Sequence, residues 1–295
     1  MMKKYFDVDI TGYDATKAFH VYRPASLSAP KDNAVMFITQ QHMDQMGQFL
    51  KCRECLVFWP EESEVPEVVA VLHAVVKCKF PRKSYCLFFR DNQITYYPPA
   101  EPFRLENGAF IAETAKIGAD CTILPGAYIG GEVEMGDYCY IGAGVRLVGE
   151  IHIGNRVIIR ENSVIGADGL STSRDEDGKA ITMPQFGGVV IEDDVQIGAL
   201  TVIGRGAIDH TVLKRGSKVD NSSFISHNVV LEEDTFVVGE TIMFGSSSTG
   251  KRAYISGNAT IRDGRHVGND AKVGMGAVVV HDVPDGVVVK GNPAR

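Results

Sequence analysis

Residues 111–129 read IAETAKIGADCTILPGAYI and carry an isoleucine at every sixth position. The spacing continues through ten aliphatic positions up to Ile165, resumes over residues 191–203, and runs again over residues 213–279, where only Thr249 departs from it. A period of six fits neither an amphipathic helix nor an alternating strand. It is typical of a coil of three short strands that each place one large aliphatic side chain inside. The sequence therefore predicts a left-handed parallel β-helix of roughly eight triangular coils.

The first hundred residues lack the repeat and predict a small α/β domain. Prolines in residues 98–102 (PPAEP) separate this domain, residues 1–100, from the β-helix, residues 101–295. Apolar runs and helical spacing predict its elements: strands at residues 34–39, 55–59, 85–90 and 94–97, and helices at residues 41–51 and 65–77. Residues 166–190 interrupt the sextets and are rich in Gly, Ser, Asp and Arg, so we expect a loop that leaves the coils. Long loops on a rigid scaffold tend to carry function.

Composition excludes several classes of protein. The chain has 295 residues and a net charge of −7, which argues against binding to nucleic acid through a basic face. The start, MMKKYFDVDI, does not read as a signal peptide, and no apolar run is long enough to span a bilayer. We therefore expect a cytoplasmic protein. The six cysteines form no disulfide pattern, and the CxxC at residues 52–55 lacks a second pair, so no metal site is predicted.

Four motifs follow one another within the repeat. They are residues 165–169 (IGADG), 184–187 (PQFG), 206–212 (GAIDHTV) and 220–229, where DN precedes ISHNV. Together they resemble the UDP-3-O-acylglucosamine N-acyltransferases of lipid A synthesis, a family within the hexapeptide-repeat acyltransferases. The resemblance is good over residues 165–245 and weak over the N-terminal domain. It implies transfer of an acyl group, such as a 3-hydroxyacyl group, from coenzyme A or acyl carrier protein to the amine of a nucleotide-linked amino sugar, with no tightly bound cofactor.

His227 is the predicted general base, because it lies in the best-matched motif and imidazole titrates near neutral pH. Asp220 or Asn221 would orient its ring, and the resemblance favours Asp220. One coil of 18 residues places Gly245 directly above His227, where its backbone N–H would stabilise an oxyanion.

The resemblance also implies contacts with the substrate. The family stacks uracil between a Phe and a Tyr; Phe37 would take the first place, whereas Met43 stands near the second. Phe58 and Trp59 are either part of that surface or core residues. The remaining predicted substrate contacts are Gln185 of the PQFG motif, Asn221, Arg265 at the place of a second family histidine, and its neighbour His266.

The expected assembly and the ending of the chain bear on the alternative functions. We expect a homotrimer in which Val157, Val195 and Val229 face outward against a neighbouring chain. The ending GNPAR is similar to that of coenzyme A-dependent transferases of small molecules, whereas the lipid A enzymes end in helices that help bind the carrier protein. The alternatives are therefore the lipid A enzyme itself and a catalytically silent trimeric scaffold.

Two other interpretations are disfavoured by the residues. GSSSTGK at residues 245–251 has phosphate-loop spacing, but Arg252 replaces the required Ser or Thr. A zinc carbonic anhydrase of this fold needs three converging histidines, and His210 and His227 lack a matching third.

Overall fold

The computed structural model describes residues 3–97 and 101–295, and the chain divides into two compact units. One comprises Met1–Tyr97 and Leu170–Phe186, and the other comprises Pro98–Gly169 and Gly187–Arg295. The predicted boundary at residues 98–102 begins in residues 98–100, which lie outside the described residues. Most of the predicted loop, residues 170–186, thus belongs to the unit built from the first hundred residues. No helix among the described residues is long and apolar enough to cross a membrane.

The second unit is the predicted left-handed parallel β-helix, built from three long sheets. The first sheet has nine strands: Thr122–Ile123, Tyr140–Ile141, Ile158–Ile159, Gln196–Ile197, Lys218–Val219, Phe236–Val237, Tyr254–Ile255, Lys272–Val273 and Val288–Val289. The second has ten: Phe103–Glu106, Ala109–Ala112, Tyr128–Ile129, Arg146–Leu147, Val164–Ala167, Val202–Gly204, Phe224–Ile225, Ile242–Met243, Thr260–Ile261 and Val278–Val279. The third has eight: Lys116–Ile117, Val133–Met135, Ile151–Ile153, Val189–Ile191, Thr211–Leu213, Val230–Leu231, Ser248–Thr249 and His266–Val267. All their pairings are parallel except that of Phe103–Glu106 with Ala109–Ala112.

Strand pairing fixes the coil length and shows where the coils are interrupted. Ile123 pairs with Ile141 and Ile141 with Ile159, so one coil is 18 residues. Ile159 then pairs with Ile197, and Ile197 with Val219, so these two coils contain 20 and 4 additional residues. The hydrogen-bonded register is kept on both sides of each insertion, which means that the extra residues leave the prism as loops.

The prism holds two inward-facing columns per side. Most repeat aliphatics are buried, and so are most of the residues two positions before them. Ala115, Ile117, Cys121, Ile123 and Arg265 are only half-buried. Val157, Val195 and Val229 occupy this second column and are fully buried, so the prediction that they face a neighbouring chain is wrong. Alternate side chains of an extended chain point to the same face, so Val157 points inward together with Ile159, the repeat aliphatic two positions later.

Asparagine and aspartate side chains hold one coil to the next at the corners. Asp137 Oδ1 accepts a hydrogen bond from Ala119 N–H at 2.7 Å, and Asn155 Oδ1 accepts one from Asp137 N–H at 2.9 Å. Asn221 does the same for Ala199 N–H at 2.7 Å. Each such bond satisfies a backbone donor that the sheets leave unpaired.

The first unit contains a four-stranded parallel sheet. Its order is Arg23–Pro24, Ala34–Phe37, Leu56–Pro60 and Ala74–Cys78. Two antiparallel pairs accompany it, Val8–Asp9 with His20–Val21 and Thr172–Arg174 with Ala180–Thr182. Its helices are the 3-10 segments Ile10–Gly12 and Gln40–Lys51 and the α-helices Glu67–Leu72 and Pro81–Asp91. The strands predicted at residues 34–39 and 55–59 and the helix at residues 41–51 are confirmed.

The strand predicted at residues 85–90 is wrong, because this stretch lies in the helix Pro81–Asp91. Proline suits the first turn of a helix, where its missing N–H is not needed. The buried positions recur at helical spacing: Pro81, Tyr85, Cys86, Phe88 and Phe89. The strand predicted at residues 94–97 is also wrong, since Ile94 N–H instead donates to Phe89 O at 2.8 Å at the end of this helix.

The helix predicted at residues 65–77 is only half correct. Glu67–Leu72 is helical, but Ala74–Cys78 is a strand that pairs in parallel with Leu56–Pro60. Two consecutive valines, Val75 and Val76, favour the extended chain, because their branched Cβ atoms crowd a helix. Hydrogen bonding to the neighbouring strand Leu56–Pro60 then holds Ala74–Cys78 as a strand.

Replacing a repeat aliphatic should destabilise the β-helix strongly. We expect Ile255→Ala, which empties a fully buried position, to cost about 2–5 kcal/mol in the free energy of unfolding. Lys272→Ala on the adjacent strand is the control, because its side chain is exposed, and it should change stability by less than about 0.5 kcal/mol. Denaturant titrations at one protein concentration measure the free energy of unfolding of both variants. Similar losses for the two would contradict the assignment of Ile255 to the core of the β-helix.

Candidate active site

Both insertions of the β-helix leave from one corner, the corner between the second and third sheets. The first lies between Val164–Ala167 and Val189–Ile191, and the second between Val202–Gly204 and Thr211–Leu213. The next coil places His227 at the same corner, between strands of the same two sheets. We call residues 166–169, 187–188, 205–210, 226–229 and 244–247 the insertion corner.

The imidazole ring of His227 lies between two glycines. A Cβ atom on Gly245 would be 2.5 Å from Nε2 and 3.0 Å from Nδ1 of the ring, which is closer than any real contact. A Cβ atom on Gly169 would be 3.0 Å from Cδ2. The ring therefore occupies space that only glycine leaves open, and the predicted stacking of Gly245 on His227 is found in the structure.

Asn228 fixes the orientation of the ring within the chain. Its Oδ1 lies 3.2 Å from His227 Nδ1 and also accepts a hydrogen bond from Ala207 N–H at 2.9 Å. Its Nδ2 donates to Asp209 O at 2.8 Å, so the side chain is anchored to the second insertion. Because a carboxamide oxygen only accepts hydrogen bonds, Nδ1 carries a proton, and the neutral ring has its lone pair on Nε2. The neutral ring thus presents the Nε2 lone pair that a general base requires.

The backbone of Gly245 supplies a hydrogen-bond donor beside this ring. Its carbonyl accepts from Gly264 N–H at 3.0 Å, and Ser246 N–H donates to His227 O at 2.9 Å. No acceptor among the described residues takes the Gly245 N–H itself. The insertion corner therefore combines a base with an N–H group that is available to a developing oxyanion.

A buried arginine next to the site, paired with the exposed Asp168, was missed by the sequence reasoning. Arg205 is 1% exposed; its Nε donates to Gly166 O at 3.1 Å and lies 3.4 Å from Asp168 Oδ1. Its guanidinium lies in the space left open by Gly149. Burial raises the pKa of Asp168, and the positive charge of Arg205 opposes that rise. The signal was present in the sequence, because Arg205 follows Ile203 at the same distance at which His227 follows Ile225 one coil later.

Asp220 and Asn221 lie at a different corner from His227. The strand Phe224–Ile225 separates the two corners, which stand at opposite ends of one side of the prism. The Asp220 carboxylate accepts from Asn221 N–H at 2.7 Å and from Gly239 N–H at 3.2 Å. Within one chain the structure therefore does not place Asp220 on the ring of His227, because one sextet carries the backbone to the next corner. Asp220 and Asn221 instead line a groove of about 450 Å³ on the first sheet, together with Phe236.

Arg265 and His266 occupy the coil that follows Gly245. Arg265 takes an inward-column position that elsewhere holds small or apolar side chains, and its Nη1 lies 3.6 Å from Asp282 Oδ1. His266 faces the third sheet, where its Nδ1 lies 2.8 Å from Ser248 Oγ. Neither residue has a described contact with the ring of His227.

The other predicted substrate contacts belong to the first unit. Phe37 is half-buried at the end of its strand, with its ring 4.9 Å from that of Tyr85. Gln185 is buried, and its Nε2 donates to Met183 O at 3.2 Å. Phe58 and Trp59 are 3% and 0% exposed, so they are core residues and not a stacking surface.

The two histidines nearest the first insertion form a separate group. His210 Nδ1 accepts a hydrogen bond from Gly188 N–H at 2.8 Å, and its ring centroid lies 6.2 Å from that of His152. His152 in turn lies 3.4 Å from Glu150 Oε1. These contacts tie the returning end of the loop to the third sheet.

This chain is similar to known proteins in sequence and in structure. Residues 114–149 match the model of the bacterial transferase hexapeptide (six repeats). The chain is 51% identical over 79 residues to a UDP-3-O-acylglucosamine N-acyltransferase of Francisella tularensis, over 27% of this chain and 23% of the relative. It is 35% identical over 141 residues to one of Methylobacterium nodulans, over 48% of this chain and 40% of the relative. The matched stretches thus span less than half the length of these relatives.

Solved structures of two UDP-N-acetylglucosamine acyltransferases share the fold. The protein of Campylobacter jejuni superposes with a TM-score of 0.58 at 19% identity, over 65% of this chain and 73% of that one. The protein of Bacteroides fragilis gives 0.59 at 23% identity, with the same coverage. At this identity the likeness shows the β-helix fold alone.

Substituting Gly245 should disturb the site without disturbing the coil. We expect Gly245→Ala to push the His227 ring aside and to lower acyl-transfer activity roughly 100-fold, since small displacements of a reacting group have large effects on rate. Gly257→Ala is the matched control, because its Cβ would meet only Gly239 O at 3.2 Å and Val238 Cγ1 at 3.6 Å. Steady-state rates and thermal melts of both variants test this, and equal activities would refute the role of Gly245.

Proposed function

We propose that this protein is an N-acyltransferase that acylates the amine of a nucleotide-linked amino sugar. The observation that carries the proposal is the insertion corner, where the Nε2 lone pair of His227 stands beside the available N–H of Gly245. The curated relatives named UDP-3-O-acylglucosamine N-acyltransferase support a UDP-linked amino sugar as acceptor. The acyl donor in this proposal is a thioester of coenzyme A or of acyl carrier protein.

The chemistry follows from the atoms at the corner. The sugar amine attacks the thioester carbonyl carbon, a C–N bond forms, and the carbonyl oxygen becomes an oxyanion that the Gly245 N–H stabilises. His227 Nε2 takes the proton that the nitrogen loses. When the intermediate collapses, the C–S bond breaks and the departing thiolate receives that proton from the imidazolium. Asn228 keeps the ring in the required tautomer throughout.

In this proposal the first unit binds the nucleotide part of the acceptor. The half-buried ring of Phe37 is the candidate for stacking on the base, and Gln185 is a further candidate contact. Arg265, His266 and Asn221 remain proposed contacts for the rest of the substrates. The Asn221 side chain also accepts from Ala199 N–H of the preceding coil, which limits how its amide can turn toward a ligand.

Two alternatives share the same fold. Lipid A synthesis proper is favoured by the names of the curated relatives, and it differs in its acceptor and in the use of a carrier-protein donor. A silent trimeric scaffold would need neither the glycine-lined His227 nor its anchored Asn228. The intact arrangement of these groups is what favours an enzyme.

We further propose that the active protein is a homotrimer with sites shared between chains. Aromatic side chains that face outward on the first and second sheets offer contact surface: Phe224, Phe236 and Tyr254 are 37%, 47% and 40% exposed. Because Asp220 and His227 stand at two ends of one prism side, Asp220 would approach the ring of His227 from a neighbouring chain.

His227→Ala tests the catalytic proposal directly. We expect kcat to fall about 100- to 10,000-fold, because the base acts in the transition state, while the KM for the acceptor changes little. The measurement uses UDP-linked amino sugars with coenzyme A and carrier-protein thioesters as donors. His281→Ala is the control, since His281 is an exposed histidine that lies outside the insertion corner. A His227→Ala enzyme that retains most of its kcat would rule out His227 as the base.

Mixing two inactive variants tests the shared site. We expect mixed trimers of Asp220→Ala and His227→Ala chains to regain activity, because about one site in four receives both native side chains in a random trimer. Light scattering should give three times the chain mass of 32.1 kDa. A mixture no more active than the average of its parts would show that both residues act within one chain, and a mass near 32.1 kDa would refute the trimer.

A further inference from the structure

Three metal-ligating side chains meet in the core of the first unit. Cys52, Cys55 and His73 are buried, and one ligand atom from each lies within 4.8 Å of the others. This is the one group of three or more such side chains within residues 3–97 and 101–295. The sequence showed the CxxC, but His73 lies 18 residues after Cys55 and only the fold brings it to the pair.

The distances fit a tetrahedral ion. The two sulfur atoms are 3.7 Å apart. Two thiolates bound to one zinc ion at about 2.3 Å and at the tetrahedral angle lie about 3.8 Å apart. A disulfide would require about 2.05 Å, so the pair is set at the spacing of shared coordination and not at that of a bond.

His73 is oriented as a metal-binding histidine is. Its Nε2 lies 2.9 Å from Phe49 O, and a carbonyl oxygen only accepts, so Nε2 carries the proton. The lone pair therefore sits on Nδ1, which accepts a hydrogen bond from Cys55 N–H at 3.3 Å. Donation of the second ring N–H to a backbone carbonyl is the usual support of a ligating histidine.

The cluster stands where four elements end or begin. Cys52 directly follows the helix Gln40–Lys51, and Cys55 directly precedes the strand Leu56–Pro60. His73 lies between the helix Glu67–Leu72 and the strand Ala74–Cys78. An ion here would join the ends of two helices to the start of two neighbouring parallel strands.

We propose that Cys52, Cys55 and His73 bind a zinc ion that stabilises the first unit. Two thiolates and one imidazole form the donor set that zinc prefers over magnesium or calcium. The fourth position falls to a water molecule, because no further His, Cys, Asp or Glu of the described residues brings a ligand atom into the cluster. Without an ion the same atoms form a hydrogen-bonded cluster, in which the Cys55 thiol lies 3.3 Å from Lys31 O.

Metal analysis of the whole protein tests the proposal. We expect about one zinc ion per chain after purification without chelator. Cobalt added to the reduced, metal-free protein should produce a thiolate charge-transfer band and the visible bands of tetrahedral cobalt. Removing the ion should lower the melting temperature, and zinc should restore it. These readouts do not involve acyl transfer, so they test the zinc site independently of the proposed enzyme activity.

Matched cysteine variants locate the site. Cys52→Ser and Cys55→Ser should each weaken zinc binding by more than about 100-fold, whereas Cys86→Ser, also buried in the first unit, should leave it unchanged. If a ligand variant fails to fold, the cobalt spectrum of the native chain still shows whether thiolates bind the metal. The proposal would be overturned by any of three results. The cobalt bands could be absent, zinc binding could survive Cys52→Ser, or the purified protein could contain a Cys52–Cys55 disulfide.

Discussion

The hydrogen-bonded register between coils is the constraint on which the rest of the structure depends. Each short strand pairs with strands one coil before and one coil after, as Ile141 does with Ile123 and Ile159, so every side chain belongs to a vertical column. A strand of two residues has little stability alone and gains it only from these neighbours. Extra residues can therefore be accommodated only where the chain already turns. Both insertions obey this rule, and both leave at the same corner.

This constraint also explains how an exposed corner becomes a defined site. In a column of small residues, a large side chain has to extend over the coil above or below. The ring of His227 extends over Gly245, whereas the guanidinium of Arg205 extends in the other direction over Gly149. The two large side chains thus diverge, and the 20-residue insertion emerges beside them. Asn228 then ties the His227 ring to the second insertion, which removes the freedom that a surface histidine would otherwise have.

The repeat made the β-helix predictable because its signal is local: one aliphatic per sextet specifies one inward position. The second inward column could have been predicted in the same way, because alternation along an extended chain puts Val157 on the face of Ile159 and Val229 on the face of Leu231. The first unit shows the opposite case. An apolar run such as residues 85–90 suits either a strand or a helix, and the decision rests on what packs against it. His73 approaches Cys55 for the same reason, through tertiary structure that no spacing encodes.

Similarity of motifs does not by itself separate residues that serve chemistry from residues that serve the coil. Asn221 lies in a matched motif, yet its side chain caps Ala199 N–H just as Asn155 caps Asp137 N–H, at a place with no claim to function. A role that recurs along the solenoid is explained by the fold. The environment of His227 departs from the repeat, because Cβ atoms on Gly169 and Gly245 would each meet its ring at 3.0 Å or less. Departure from the repeat, and not membership of a motif, is the physical reason to assign the chemistry to His227.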